Sequence, residues 1–103
     1  QRVALARALI TKPEILILDD AFSNLDSDTE EEILRNVREK LSQTTILIIS
    51  HRLSAVRDAD KIIVMDAGKI IEQGNHASLV KADGVYANLF QNQLLARELE
   101  IFL

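Results

Sequence analysis

The sequence predicts an α/β fold in which parallel strands are flanked by helices and followed by a hairpin and further helices. Two short aliphatic runs, ILIL at 15–18 and TILII at 45–49, have the length and composition of strands buried in a parallel sheet. Between them lies a segment with helical periodicity and its own capping signals. Strands that alternate with capped helices are typical of α/β proteins.

Composition narrows the class of protein. The chain has 103 residues, of which 48% are hydrophobic, and this is typical of a folded domain. A net charge of −4 argues against a general nucleic-acid-binding protein, and the lack of cysteine excludes a disulfide framework or a thiolate metal site. Only two or three strands can join a sheet, and the first residue is Gln1 rather than methionine. We therefore expect a partial domain of a longer protein.

Helical periodicity accounts for the segments on either side of the first strand. The Ala- and Leu-rich residues 1–11 predict a helix that stops at Lys12-Pro13, because the residue before proline avoids the α conformation. The segment from Ser27 to Glu30 fits the S-x-x-E capping box and predicts the start of a second helix. The apolar face of that helix comprises Ile33, Leu34, Val37 and Leu41.

The second half of the chain predicts a hairpin between short helices. Asp66-Ala67-Gly68 has the composition of a hairpin turn and lies between strand patterns at 62–65 and 69–73. The remaining predicted elements are helices at 53–56, at 76–81 and from Val85 into a charged tail, with a break at Asp83-Gly84.

The residues suited to chemistry come directly after the two aliphatic strands. Asp19 and Asp20 follow the first strand and His51 follows the second, so parallel strands would place all three at the sheet edge where α/β proteins bind ligands. One carboxylate there can bind Mg²⁺, a second can orient a water molecule, and a histidine can hydrogen-bond a phosphoryl group. The alternative is that the strands merely reach the protein surface here, so that the two aspartates are solvated and the histidine has a structural role.

The order of these residues identifies a family. QRVALARALITKPEILILDDAFSNLD followed by ILIISHR strongly resembles the ATP-binding cassette of ABC transporters, from just after the signature motif to the C-terminus. Gln1-Arg2 resembles the QR found one residue beyond the family's LSGGQ, and ILILD resembles Walker B, with Asp19 as the Mg²⁺-linked carboxylate. His51 resembles the switch histidine of the H-loop. The segment that resembles the D-loop is Ser23-Asn24-Leu25-Asp26.

The later segment GKIIEQGNHASLVKADGVYANLFQNQ resembles the end of exporter-type cassettes. The resemblance implies the C-terminal part of a P-loop NTPase domain, in which residues 1–103 form a partial ATP-binding domain. The residues of this segment that we expect to serve packing or helix boundaries, rather than catalysis, are His76, Gly84, Tyr86 and Leu89.

The resemblance also implies cofactors and partners. ATP and Mg²⁺ would bind between this cassette and a second one, identical or different, and transmembrane domains outside this chain would export the substrate. The cassette would lie at the cytoplasmic face of the plasma (inner) membrane, with no nucleic-acid partner. The sequence lacks the Walker A loop G-x-x-x-x-G-K-[ST], the Q-loop and the signature itself. We therefore expect neither tight ATP binding nor hydrolysis by this chain alone.

Asp20 departs from the family pattern. The family usually has glutamate directly after the Walker B aspartate, where it polarises the attacking water. Aspartate keeps the charge but is one methylene shorter, so its carboxylate retracts by roughly 1.5 Å. A displacement on that scale can lower a rate about 10²-fold. The substitution favours a slow or degenerate site, such as occurs in one half of a heterodimeric exporter, although His51 is retained.

Other interpretations remain open. ABC-type ATPases without membrane domains act as nucleotide-gated clamps in DNA repair or translation, although the acidic net charge and the exporter-like C-terminal segment argue against this class. A non-catalytic remnant of a truncated gene is a third interpretation. Asp26 likewise has two predicted roles, which are contact across a cassette dimer as part of the D-loop and capping of the helix that begins near Ser27.

Overall fold

The computed structural model describes residues 2–102, and side chains from residue 5 onwards. These residues fall into two compact units that divide between Ala55 and Val56. No helix within residues 2–102 is both long and apolar enough to cross a membrane. The elements, in chain order, are α1 Arg2–Thr11, β1 Ile15–Asp19, α2 Ser27–Lys40, β2 Thr45–Ile49, α3 Leu53–Val56, β3 Ile62–Asp66, β4 Lys69–Gly74, α4 His76–Lys81 and α5 Val85–Phe102.

The first unit is built on a parallel pair of strands, as the aliphatic runs predict. β1 and β2 pair in register from Ile15 opposite Thr45 to Asp19 opposite Ile49. The ladder continues for one residue beyond β1, because the Asp20 amide donates to the Ile49 carbonyl at 2.8 Å. Both strands therefore end at the same edge, and α2 makes the connection between them.

Helix α2 buries the predicted apolar face but begins differently from the prediction. Leu34, Val37 and Leu41 are buried, as expected, and Ile33 is half-buried. The predicted capping box of Ser27 and Glu30 is wrong. The N-cap is Asp26, whose carboxylate accepts from the Thr29 amide at 3.2 Å and from the Thr29 hydroxyl at 2.6 Å. Because the cap is one residue earlier, its third helical position is Thr29, and Glu30 is free to turn inwards.

One face of the β1–β2 pair is covered and the other is exposed. Leu18 is buried, whereas the neighbouring residues of the opposite face remain between 47% and 64% exposed. The expectation of strands buried on both faces is thus met on one face only. The exposed aliphatic residues of this face are Ile15, Ile17, Leu47 and Ile49.

This exposed face should make the isolated 103-residue chain associate with itself, since contiguous apolar surface and open sheet edges favour aggregation. Replacing Ile17 and its register partner Leu47 with lysine should reduce the association measured by sedimentation velocity. Glu39→Lys, at an exposed position of α2, is the matched control and should leave it unchanged. A monomeric, sharply melting wild-type chain would contradict the expectation.

The second unit begins with the predicted hairpin. β3 and β4 are antiparallel, and Asp66 and Lys69 form the last pair before the turn. The two turn residues, Ala67 and Gly68, have positive φ angles of 49° and 76°, as a type I′ turn requires. Only glycine takes such an angle without cost, and this explains the position of Gly68.

The hairpin supports the two helices that follow it. The Glu72 carboxylate accepts from the Tyr86 amide at 2.8 Å and so caps the start of α5, and a Cβ at Gly84 would overlap that carboxylate. His76 Nδ1 and the Tyr86 hydroxyl lie 2.8 Å apart, and the His76 ring packs edge-on against Tyr86 and Phe90. The packing and boundary roles predicted for His76, Gly84 and Tyr86 are confirmed. Leu89 is exposed, so the packing role expected for it was wrong within this unit.

Candidate functional site

The predicted acids and histidine lie at one sheet edge. Asp19 ends β1 directly opposite Ile49, Asp20 follows it, and His51 comes two residues after Ile49. Asp19 and His51 are exposed, and Asp20 is partly buried. The parallel register therefore brings these side chains to the edge where ligands bind in open α/β sheets, as the sequence predicts.

Asp20 has an unusual backbone conformation. Its φ angle is +47°, in the left-handed region that aspartate enters more readily than most residues other than glycine. Two hydrogen bonds hold it there, from its amide to the Ile49 carbonyl at 2.8 Å and from the Ser23 amide to its own carbonyl at 3.3 Å. Such angles cluster at functional sites, where the surrounding structure over-determines them.

The loop after Asp20 is compact and partly anchored. Phe22 is buried, and its carbonyl accepts from the Leu25 amide at 3.0 Å. Ser23 and Asn24 are exposed, so the middle of the loop faces solvent. We call this segment, residues 21–26, the catalytic-edge loop.

Asp26 closes the catalytic-edge loop by capping α2. The hydrogen bonds from the side chain and then the backbone of Thr29 hold the pKa of Asp26 below its ordinary value of 3.8. The cap therefore contributes to stability above that pH and is lost as the carboxylate protonates in acid. The capping role predicted for Asp26 is confirmed, and its predicted role in contact between cassettes stays a prediction.

Two charged residues at this edge were missed in the sequence analysis. The Arg52 guanidinium donates from Nη2 to the Ser23 carbonyl at 3.0 Å, and its Nη1 lies 3.5 Å from Glu30 Oε1. The Arg52 amide also donates to the Ser50 hydroxyl at 3.0 Å. Glu30 could have been found from helical spacing, because it precedes Leu34 by four residues and Val37 by seven, on the buried face.

Glu30 is an ionisable group inside the first unit. Burial raises the pKa of Glu30 above its ordinary value of 4.5, and the neighbouring Arg52 opposes this shift. The charges of Glu31 and Asp20 raise the pKa further, so Asp20 is close enough to influence this pair electrostatically. Since the pKa is raised in the folded state, the net contribution of Glu30 to stability is largest in acid and declines as pH rises through the folded pKa.

Known proteins resemble this chain over most of its length. The chain is 52% identical over 95 residues to the leukotoxin export ATP-binding protein LtxB of Aggregatibacter actinomycetemcomitans, a match of 91% of this chain and 13% of that protein. It is 48% identical over 93 residues to the ATP-dependent lipid A-core flippase of Bordetella pertussis, matching 90% of this chain and 15% of the relative. No protein-family model matches.

A solved structure agrees with these relatives. A bacterial Atm1-family ABC exporter with ATP bound superimposes with a TM-score of 0.82 at 45% identity, over 90% of this chain and 16% of that one. The chain belongs to the family of ABC exporter ATP-binding cassettes. It spans only a small part of these exporters, and its fold is that of the C-terminal part of an ABC ATPase domain.

The cassette residues present here suit part of a nucleotide site. Mg²⁺ is usually held by one or two carboxylates together with phosphate oxygens and water, and Asp19 and Asp20 supply such carboxylates at the strand edge. Within residues 2–102 there is no group of three or more His, Cys, Asp or Glu side chains arranged to hold a metal by themselves. In the predicted QR pair, Gln1 lies outside the described residues, and only the backbone of Arg2, at the start of α1, is described.

Proposed function

We propose that this chain is part of an ATP-hydrolysing subunit that powers export across a membrane. The observation that carries the proposal is the parallel register of β1 and β2, which brings Asp19, Asp20 and His51 to one edge. The functions named for the relatives, leukotoxin export and lipid A-core flipping, support a transport role for such a cassette. Residues 1–103 would form a partial ATP-binding domain of the subunit.

Each edge residue has a proposed role in phosphoryl transfer. Asp19 binds Mg²⁺ directly or through water, and the cation, when bound, neutralises charge on the ATP phosphates. Asp20 orients the attacking water, and His51 hydrogen-bonds the phosphoryl group that is transferred. Within the catalytic-edge loop, the residues proposed to contact a second cassette are Ser23, Asn24, Leu25 and Asp26.

The proposed assembly follows from these roles. A second cassette, identical or different, completes the nucleotide site, and transmembrane domains bind the exported substrate. The cassettes lie at the cytoplasmic face of the plasma (inner) membrane. The short side chain of Asp20 supports a slow or degenerate site, as in one half of a heterodimeric exporter.

The proposal is tested by ATP hydrolysis of the full-length protein in lipid vesicles. We expect hydrolysis that stops when EDTA removes Mg²⁺ and returns when Mg²⁺ is added back, measured as phosphate release. Hydrolysis that needs nucleic acid, and is indifferent to lipid, would instead favour the clamp class of ABC-type ATPases. A full-length protein that hydrolyses no ATP even with its partner cassette present would contradict both.

The isolated chain should behave differently from the full-length protein. Because it lacks the Walker A loop, whose amides and lysine surround the phosphates, we expect no tight ATP binding in calorimetric titrations. The same titration of the full-length protein is the positive control. Micromolar affinity of residues 1–103 for ATP would contradict this expectation.

A further inference from the structure

Arg52 connects three parts of the candidate site that are distant in sequence. It directly follows His51, and its own amide donates to the hydroxyl of Ser50, the residue after β2. We call residues 50–52 the histidine turn. Its Nη2 reaches the Ser23 carbonyl, 29 residues earlier in the chain, in the catalytic-edge loop. Its Nη1 faces Glu30 on α2. One side chain thus contacts the loop and the helix while its backbone belongs to the histidine turn.

The Glu30–Arg52 contact is unusual in its environment. The Glu30 side chain is only 5% exposed and the Arg52 side chain 33%, and the atoms that face each other, Oε1 and Nη1, are both buried without a hydrogen-bond partner. A buried ion pair is weak evidence for stability, because desolvation offsets much of the attraction. Stability alone therefore does not explain the pair, and fixing one relative geometry is another role that such pairs have in some proteins.

We propose that Arg52 is a positioning residue for ATP hydrolysis. Glu30 holds the Arg52 guanidinium, which in turn binds the Ser23 carbonyl and so connects the histidine turn to the catalytic-edge loop. As a result, the phosphate-contacting histidine and the loop that faces the second cassette keep one relative arrangement. Arg52 contacts neither nucleotide nor the reacting atoms in this role. The kinetic consequence rests on the proposed function, whereas the mechanical link between turn and loop does not.

The first test is the kinetics of the full-length protein. Arg52→Gln and Glu30→Gln should each lower kcat for ATP about 10- to 100-fold, because small displacements of catalytic groups have effects of this size. KM should change by less than about 3-fold, since the lost contacts act on the transition state rather than on ATP binding. The variant that combines Glu30→Gln with Arg52→Gln should have a kcat no lower than that of Arg52→Gln, because the two residues act as a unit.

The second test is amide hydrogen exchange, which does not depend on activity. In Arg52→Gln the amides of residues 23–26 should exchange at least several-fold faster than in the wild type, since the loop has lost its tie to the histidine turn. Matched controls come from exposed residues of α2, Arg35→Gln for the arginine and Glu32→Gln for the glutamate. Both controls should match the wild type in kinetics and in exchange.

A variant that leaves one buried charge unpaired risks misfolding. The double variant Glu30→Gln with Arg52→Met removes both charges, so it should fold while still losing the Ser23 contact. It should then show the same loss of kcat and the same faster exchange of residues 23–26. A folded variant with Glu30→Gln and Arg52→Met that shows wild-type kcat and wild-type exchange would overturn the proposal.

Three further outcomes would each overturn one part of the proposal. A raised KM with unchanged kcat in Arg52→Gln would mean that Arg52 binds nucleotide, and this overturns the positioning role. If the wild-type protein hydrolyses no ATP even with its partner cassette present, the proposed function fails, and the exchange of residues 23–26 alone then decides the mechanical link. If the amides of residues 23–26 exchange in Arg52→Gln at the same rate as in Arg35→Gln, the mechanical link itself is overturned.

Discussion

Lengthening Asp20 to glutamate in the full-length protein should raise the turnover of its nucleotide site about 10- to 100-fold. The backbone of Asp20 is held by hydrogen bonds to Ile49 and Ser23, so the carboxylate cannot advance by a shift of the main chain. A longer side chain is the remaining way to extend its reach towards a water molecule. Single-turnover ATP hydrolysis, in an assay with the partner cassette present, measures the effect.

This gain should come with a loss of stability. Asp20 has a φ angle of +47°, and glutamate lacks the short polar side chain that eases aspartate into this conformation. We expect a cost of the order of 1 kcal/mol. Asp20→Gln has the length of glutamate without its charge, so it should carry the same cost without any gain in turnover. Turnover of Asp20→Glu no higher than wild type would remove the support for a degenerate site.

Truncating Tyr86 to alanine should be the most destabilising single change in the second unit. Tyr86 is 1% exposed and is the largest fully buried side chain among the described residues. The substitution leaves a cavity and deprives His76 of its hydroxyl partner, so we expect a loss of about 3–5 kcal/mol. Native-state hydrogen exchange of the amides of residues 85–90 in the full-length protein measures the free energy of opening.

Two matched variants separate the contributions at Tyr86. Tyr86→Phe keeps the ring and loses only the hydroxyl, so it should cost about 1 kcal/mol. Leu89→Ala, at an exposed position of the same helix, should cost little. Burial also raises the pKa of Tyr86 above its ordinary value of 10.0. The stability that comes from burying the neutral hydroxyl is therefore lost as the pH rises through the folded pKa. An equal cost for Tyr86→Ala and Leu89→Ala would contradict the packing described.

Much of the fold could be predicted because the local signals agreed with one another. The aliphatic run at 45–49 became β2 with the same bounds, and the helix at 53–56 became α3. Ala67-Gly68 became a two-residue turn because few other connections fit so short a gap. The exposure of one strand face could not be read from composition alone, since Ile17 and Leu18 are equally apolar but point to opposite faces.

The sequence predicted which residues lie at the edge of the candidate site, but not the contacts that Arg52 makes there. Parallel pairing follows from the strand patterns, and with it the shared edge of Asp19 and His51. The link from Arg52 to Ser23 depends on how a loop folds back over 29 residues, and no local periodicity encodes that. Glu30 was assigned to a capping box because it lies three residues after Ser27. Its spacing to Leu34 and Val37 also fits the buried face of α2, where the structure places it.

The two units also differ in how far apart along the chain their partners lie. β1 and β2 join residues separated by about 30 positions, such as Ile15 and Thr45. In the second unit the hairpin strands are adjacent, and the Glu72 carboxylate reaches a helix start only 14 residues away. Short loops close at lower entropic cost and form sooner. The hairpin and its helices should thus reach their native state first, and the edge that carries the acids and the histidine should be the slower part to assemble.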